Sequence, residues 1–472
     1  MEKYDLLSDK AQSFINPQNI QDILSYAKKN CRDRGYMADI LAKANDMQGL
    51  PTSDATALLF NQDSEVTQEI FALARKIVDT YYGNRKVLFA PLYLSNYCVN
   101  SCTYCPYHAK NKIIPRRKMT QEEIKQEVIA LQDMGHKRLA LEAGEHPLYN
   151  PLEYILESID TIYGIHHKAG SIRRVNVNIA ATTIEEYKKL HDAKIGTYVL
   201  FQETYNQEEY EKLHPRGPKS NYAWHTEAMD RAMQAGIEDV GLGVLFGLHN
   251  YDYEFVALLK HAKHLEAKYG AGPHTISVPR LQPASDVNLS AFQNALPDDI
   301  FLKIVALIRI AVPYTGMIMS TREGEKIRRQ ALDIGISQIS GGSKTTVGGY
   351  ASANEKAKDT AQFELSDERT LDEVVRWLMQ LGYVPSFCTA CYGKGRQGVD
   401  FMEICKKKQI HNFCSPNALL TLIEYLSNYA SEQTKIVGAQ VIEKEFYSLP
   451  PAMQKIVRSR WSQAESGEVV FI

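Results

Sequence analysis

Apolar residues along this chain recur with two different periods, and the period changes twice. Over 66–82 they follow helical spacing, with Glu69 and Lys76 left on the wet side. Pro51-Thr52-Ser53 has the character of a helix start. Residues 1–84 therefore read as an N-terminal helical extension covering one end of the next domain. From Val87 onward short β-rich runs alternate with amphipathic helices. The strand-like runs fall at 87–97, 138–142, 174–179, 198–203, 240–246, 275–278, 316–320 and 337–340. Helical patterns lie between them at 120–134, 222–235, 253–269, 298–312 and 322–334, and after a Gly-rich loop at 371–381. Thr120-Gln121-Glu122-Glu123 is a capping box. Eight strand–helix units within 85–384 predict a parallel sheet closed into a complete (β/α)8 barrel, an α/β fold. Residues 385–472 lose the alternation. Their main helical pattern, 416–429, opens with Pro416 in its first turn. This mainly helical C-terminal domain is too small for a generous core, so it is expected to dock on the barrel with help from a metal centre.

Composition narrows the class without naming it. At 44% apolar and 23% charged, the 472 residues match a globular protein and exclude disordered or fibrous classes. A net charge of −2 gives no electrostatic case for nucleic acid or an anionic membrane as partner. The longest apolar stretches, such as 240–248, are too short to cross a bilayer, and Met1-Glu2-Lys3-Tyr4-Asp5 lacks a signal-peptide pattern. A cytoplasmic location is expected, with no nucleic-acid and no membrane partner.

The eight cysteines change the picture, because in a reducing compartment clustered thiols ligate metal rather than form disulfides. Cys98, Cys102 and Cys105 share one loop, and Cys388, Cys391 and Cys414 gather near the C-terminus, while Cys31 and Cys405 stand apart. The first group follows the first strand, at the C-terminal mouth where such barrels carry their chemistry. Three thiolates can each take a corner of a cubane and leave the fourth iron open. A zinc site closed by His108 is the alternative on spacing alone. The second group, a CxxC followed after twenty-two residues by a third cysteine, also leaves one metal position open. Its alternatives are a redox pair or zinc with His411.

The CxxxCx(aromatic)C loop, with Tyr104 in the aromatic place, resembles that of radical-SAM enzymes. The resemblance implies a [4Fe-4S] cluster on Cys98, Cys102 and Cys105 whose open iron is chelated by S-adenosyl-L-methionine. Ala143-Gly144-Glu145 is similar to the family's turn for the methionine ammonium. The segment around Glu203, Gln202-Glu203-Thr204-Tyr205, resembles the one that holds the ribose or the methionine end. Gly243-Val244-Leu245-Phe246-Gly247 looks like the adenine-backing motif, with Gly243, Leu245 and Gly247 as its contacts.

Within that family, Phe201 to Tyr205, Ser277-Val278-Pro279-Arg280-Leu281 and Ser320-Thr321-Arg322-Glu323 resemble tyrosine-cleaving lyases. One branch of these, the 2-iminoacetate (dehydroglycine) synthase of thiamine thiazole biosynthesis, has no cluster-binding tail. The other matures [FeFe]-hydrogenase and carries a tail with the spacing of Cys388, Cys391 and Cys414. Resemblance to the second implies cleavage of the Cα–Cβ bond of L-tyrosine to p-cresol and dehydroglycine. The latter fragment then yields carbon monoxide and cyanide on iron. It also implies an auxiliary iron–sulfur cluster with an additional iron, an electron donor such as flavodoxin or ferredoxin, and other [FeFe]-hydrogenase maturases as partners. Arg322, placed at the mouth, is expected to pair bidentately with the tyrosine carboxylate, with Ser320 and Ser340 adding hydroxyl bonds. For the additional iron the sequence favours His274, which opens the sixth strand and faces the barrel floor, over His264. A fragment leaving the mouth is expected to travel to the floor along the barrel interior.

Overall fold

The computed structural model describes residues 8, 10–351, 359–395, 397–407 and 410–472, with the side chains of 410–412 left aside. Eight parallel strands close on themselves: β1 (Arg85–Ser95), β2 (Arg138–Ala143), β3 (Arg174–Asn178), β4 (Tyr198–Val199), β5 (Val240–Gly243), β6 (Thr275–Ser277), β7 (Gly316–Met319) and β8 (Gln338–Ser340). Closure is the pairing of β8 with β1, in the register Val87↔Gln338 to Phe89↔Ser340. The predicted barrel is present, with the capping box at Thr120 opening the helix Gln121–Asp133.

Strand periodicity decides what each face does. Leu88, Leu92 and Leu94 of β1, Leu139 and Leu141 of β2, and Val175 and Val177 of β3 are wholly buried. Alternate residues of the same strands line internal cavities instead: Val87, Phe89, Pro91 and Tyr93; Arg138, Ala140 and Glu142; Arg174, Asn176 and Asn178. Period-two geometry thus puts aliphatic side chains under the helices and polar ones inside the barrel. An interior so rich in charge is a site rather than a filled core.

The N-terminal helices depart from expectation. They pack mainly along the outer helices Tyr251–Tyr269, Asp298–Ala311 and Glu325–Ile334, and the last of them reaches the barrel end at Tyr82. That arrangement explains why Asp298–Ala311 is buried from Phe301 to Ala311 on every side. Other local differences have local causes. The helical pattern at 222–235 breaks at Glu227, whose carboxylate accepts from the Ser8 hydroxyl and the Ala11 N–H. The helix expected from Arg322 starts at Glu325, leaving Arg322 in the preceding turn. Pro416 lies inside the helix Ile410–Asn428 rather than at its start; Asn417 Nδ2 donates to Phe413 O at 2.6 Å beside the missing proline N–H. Among the described residues no helix is long and apolar enough to cross a membrane.

The tail holds two further long helices, Glu432–Ser448 and Pro451–Glu465, and begins with a ninth strand, β9 (Val384–Ser386), parallel to the start of β1. This strand straddles the boundary expected at residue 385. Docking is anchored by Glu424, which accepts from Arg173 at 2.7 and 2.9 Å and lies 2.9 Å from Lys137 Nζ, all three nearly buried. Tyr425 stacks on Phe387 and packs so closely on Gly135 that a Cβ there would lie 2.7 Å from its ring. Replacing Glu424 with alanine strands two buried cations and should cost about 3–5 kcal/mol. The expected readout is faster limited proteolysis within 385–472 with the barrel resistant; unchanged cleavage kinetics would contradict this account of docking.

Candidate active site

The loop after β1 is held by Arg116, whose guanidinium donates to the carbonyls of Asn96, Tyr107, His108 and Asn111. Asn100 then ties it to β2 through Glu145 Oε2 at 2.7 Å. So pinned, Cys98, Cys102 and Cys105 line a cavity of about 240 Å³. Tyr104, Ala143, Gly144, Glu145, Glu203, Leu245, Ser320, Arg322 and Ser340 share its walls. Gly144 is required by the loop itself: a Cβ there would sit 2.4 Å from Tyr97 O and 3.1 Å from Cys98 Cβ. Gly243 and Gly247 stand behind the wall. The first leaves space for the Phe201 ring, and the second has a φ of +114° beside Leu281.

Glu203 sits in the left-handed region, at φ +70°, and is held by Lys219 Nζ at 2.8 Å. Despite burial, Glu203 and the neighbouring thiols hold the Lys219 ammonium in its charged form. The Tyr104 hydroxyl meets His214 Nε2 at 2.7 Å. Arg322 lays its guanidinium over the Phe363 ring at 3.5 Å, and no carboxylate among the described residues pairs with it. Ser320 Oγ accepts from the Arg322 N–H, and Ser340 Oγ from the Thr321 N–H, which shapes the turn carrying the arginine.

A second cavity lies at the floor. Cys388, Cys391 and Cys414 line it with His274, Arg85, Arg138, Arg174 and Phe401. Arg138 Nη1 donates to Cys388 O at 3.1 Å. His274 packs on Phe401, with Nδ1 3.2 Å from Asp239 Oδ1, close enough for ionic attraction yet outside hydrogen-bond alignment. Asp239 is itself fixed by Arg174 at 3.0 Å, and its neighbours His274 and Arg174 hold its carboxyl below the usual range despite burial. Sequence reasoning missed Arg85, Arg138, Arg174 and Asp239. The alternation in Arg138-Leu-Ala-Leu-Glu-Ala and Arg174-Val-Asn-Val-Asn is the signal that reveals their inward polar faces.

The two cavities are stacked along the barrel axis. Their walls are successive inward layers of the same strands: Val87 below Phe89, Arg138 below Ala140, Arg174 below Asn176, Gly316 below Ile318.

Each triad supplies three thiols, a donor set that suits an iron–sulfur core. Burial pushes the Cys105 thiol up to about 12 and raises Cys98, Cys102 and Cys388, so thiolates there need a cationic partner. At the floor, Arg85 Nε and Arg138 Nε are buried without partners, donors that fit the sulfur atoms of an anionic core. His108 is turned to Asp286 at 3.2 Å, away from its triad. His264 is bound to Asp230 and stacked on Phe14, outside the floor cavity. The side chain of His411 lies outside the described residues.

Comparison with known proteins agrees with this layout. The radical SAM superfamily pattern matches residues 92–262, and that of the biotin and thiamin synthesis associated domain matches 277–384. A crystal structure of HydG, a maturase of the [FeFe]-hydrogenase, is 51% identical, with a TM-score of 0.94 over 98% of this chain and 100% of that one. The chain belongs to the HydG family. HydG from Carboxydothermus hydrogenoformans is 38% identical, with a TM-score of 0.83 over 96% of this chain and 99% of its own. The 2-iminoacetate synthase of Escherichia coli (strain K12) is 28% identical over 355 residues, 75% of this chain and 91% of that protein. As a HydG-family member this is a radical-SAM maturase of [FeFe]-hydrogenase, with the [4Fe-4S] cluster and S-adenosylmethionine that the superfamily implies.

Proposed function

We propose that the mouth cavity cleaves L-tyrosine at Cα–Cβ to p-cresol and dehydroglycine. On this reading the floor cavity then converts the fragment to carbon monoxide and cyanide for an iron precursor of the hydrogenase active site. The observation that carries it is the stacking of two cysteine triads in two cavities on the same barrel strands. S-adenosylmethionine bound at Cys98, Cys102 and Cys105 supplies a 5′-deoxyadenosyl radical. Glu145 and Glu203 would hold its polar ends and Leu245 would pack on its base, while Arg322, a cation with no paired carboxylate among the described residues, receives the substrate carboxylate. Ser320 and Ser340, whose oxygens already accept backbone N–H groups, direct their hydroxyl hydrogens to the same carboxylate. At the floor Cys388, Cys391 and Cys414 hold the auxiliary cluster and His274 the additional iron. Asp239 lies beside Nδ1, which leaves the opposite ring nitrogen for metal. A cytoplasmic flavodoxin or ferredoxin as electron donor, and other maturases as recipients, complete the reading.

The 2-iminoacetate synthase reading is favoured by the 28% relative, yet it leaves the floor cavity without a task. The protein in which alanine replaces His274 separates the two. It is expected to form p-cresol at the normal rate and less than about a tenth of the iron-bound carbonyl, followed by infrared spectroscopy. Undiminished carbonyl would remove His274 from the pathway.

A further inference from the structure

Among the described residues three carboxyl groups line the mouth cavity, and two are engaged. Glu145 accepts from Asn100 and Glu203 from Lys219. Glu142, inward-facing on β2, has no lysine or arginine paired with it among the described residues. Its neighbour in register on β3, Asn178, supplies a side-chain hydrogen bond. Arg322 in the turn after β7, Glu203 after β4, Tyr93 of β1 and Tyr107 of the cluster loop are the charged or titratable groups facing it. Among the described residues the cavity therefore offers one unpaired cation, Arg322, and one carboxyl without a cationic partner, Glu142, within electrostatic reach of each other but not bonded.

An α-amino acid carries opposite charges on neighbouring atoms, and this pair of walls complements it. Resting on the tyrosine reading above, we propose that Glu142 seats the substrate's ammonium and takes one proton from it, leaving a neutral amine. The step balances simply: one N–H bond breaks, one O–H bond forms on Glu142, and no electron moves. Its value is chemical. On the tyrosine reading the radical takes a hydrogen atom from the substrate's amino group; an ammonium has no lone pair to stabilise the nitrogen-centred radical so formed, so that hydrogen atom must come from the neutral amine. Burial pushes the Glu142 carboxyl up to about 8, with Asn178 and Arg322 pulling it down and Glu203 adding to the rise. That is near an amino group's own range, so the proton passes at little cost.

Two measurements on the reconstituted protein with S-adenosylmethionine test this. Calorimetry of tyrosine binding at pH 7, in buffers of different ionisation heat, should show release of about one proton. The free carboxyl is mostly protonated there, and the seated pair holds one proton fewer. The Glu142→Gln protein should release essentially none. In turnover, kcat/KM for p-cresol should rise with pH through about 8 as Glu142 ionises. In Glu142→Gln it should fall about 10²–10⁴-fold at pH 7 and recover only as the free substrate's amine deprotonates. Glu142→Asp should keep the rise at a lower rate, which separates proton transfer from a folding defect. A Glu142→Gln protein with the normal profile and proton release, or one equally impaired at every pH, overturns the proposal. Wild-type protein that neither binds nor cleaves tyrosine sinks the tyrosine reading and takes this inference with it.

Discussion

Serine in place of Cys102 is expected to abolish p-cresol formation, by at least about three orders of magnitude. Cys102 is 6% exposed and shares the mouth cavity with Cys98 and Cys105. A hydroxyl in that position is a far weaker ligand for iron than a thiolate, and two remaining cysteines cannot keep a three-point seat closed. The tail cysteines are untouched, so iron and sulfide per chain should fall only to what the floor retains. Anaerobic iron and sulfide counts with electron paramagnetic resonance would read this directly. Continued p-cresol production from the Cys102→Ser protein would mean that the mouth triad is not the radical source.

The paired replacement Cys388→Ser with Cys391→Ser should have the opposite selectivity. p-Cresol should stay within about threefold of normal, while carbon monoxide falls by two orders of magnitude or more. The reason is geometric: these cysteines line a cavity one residue layer below the mouth, sharing no wall residue with it. Docking of the tail should survive, since Glu424 with Lys137 and Arg173, and Tyr425 on Phe387, hold it independently of metal. Haemoglobin capture of carbon monoxide beside chromatographic p-cresol measures both products in one reaction. Parallel loss of the two would contradict separate tasks for the two cavities.

Much of this arrangement was legible along the chain. Eight alternating units predicted the barrel because strand and helix periods are local properties of neighbouring residues. The cysteine loop after β1 was legible because ligands to one core must be close, and residues close in sequence satisfy that without knowledge of the fold. The same holds for the tail's CxxC. Arg322 was found through its motif, though its helix begins three residues later, because the turn that Ser320 and Ser340 brace is set by contacts across two strands.

What periodicity could not decide is which distant residues meet. Arg85, Arg138 and Arg174 look in sequence like ordinary strand-end charges; only closure of the barrel brings them around one cavity with Cys414 and His274. Glu142 reads as a half-exposed strand residue until the opposite wall presents Arg322. The place of the N-terminal helices, the ninth strand beside β1 and the division of the interior into two cavities are likewise tertiary. Sequence determined the elements and the cysteine-bearing loops, since these depend on spacing within a turn or a strand. Folding determined the company each charge keeps, since burial and pairing energies arise between segments that the chain brings together from hundreds of residues apart.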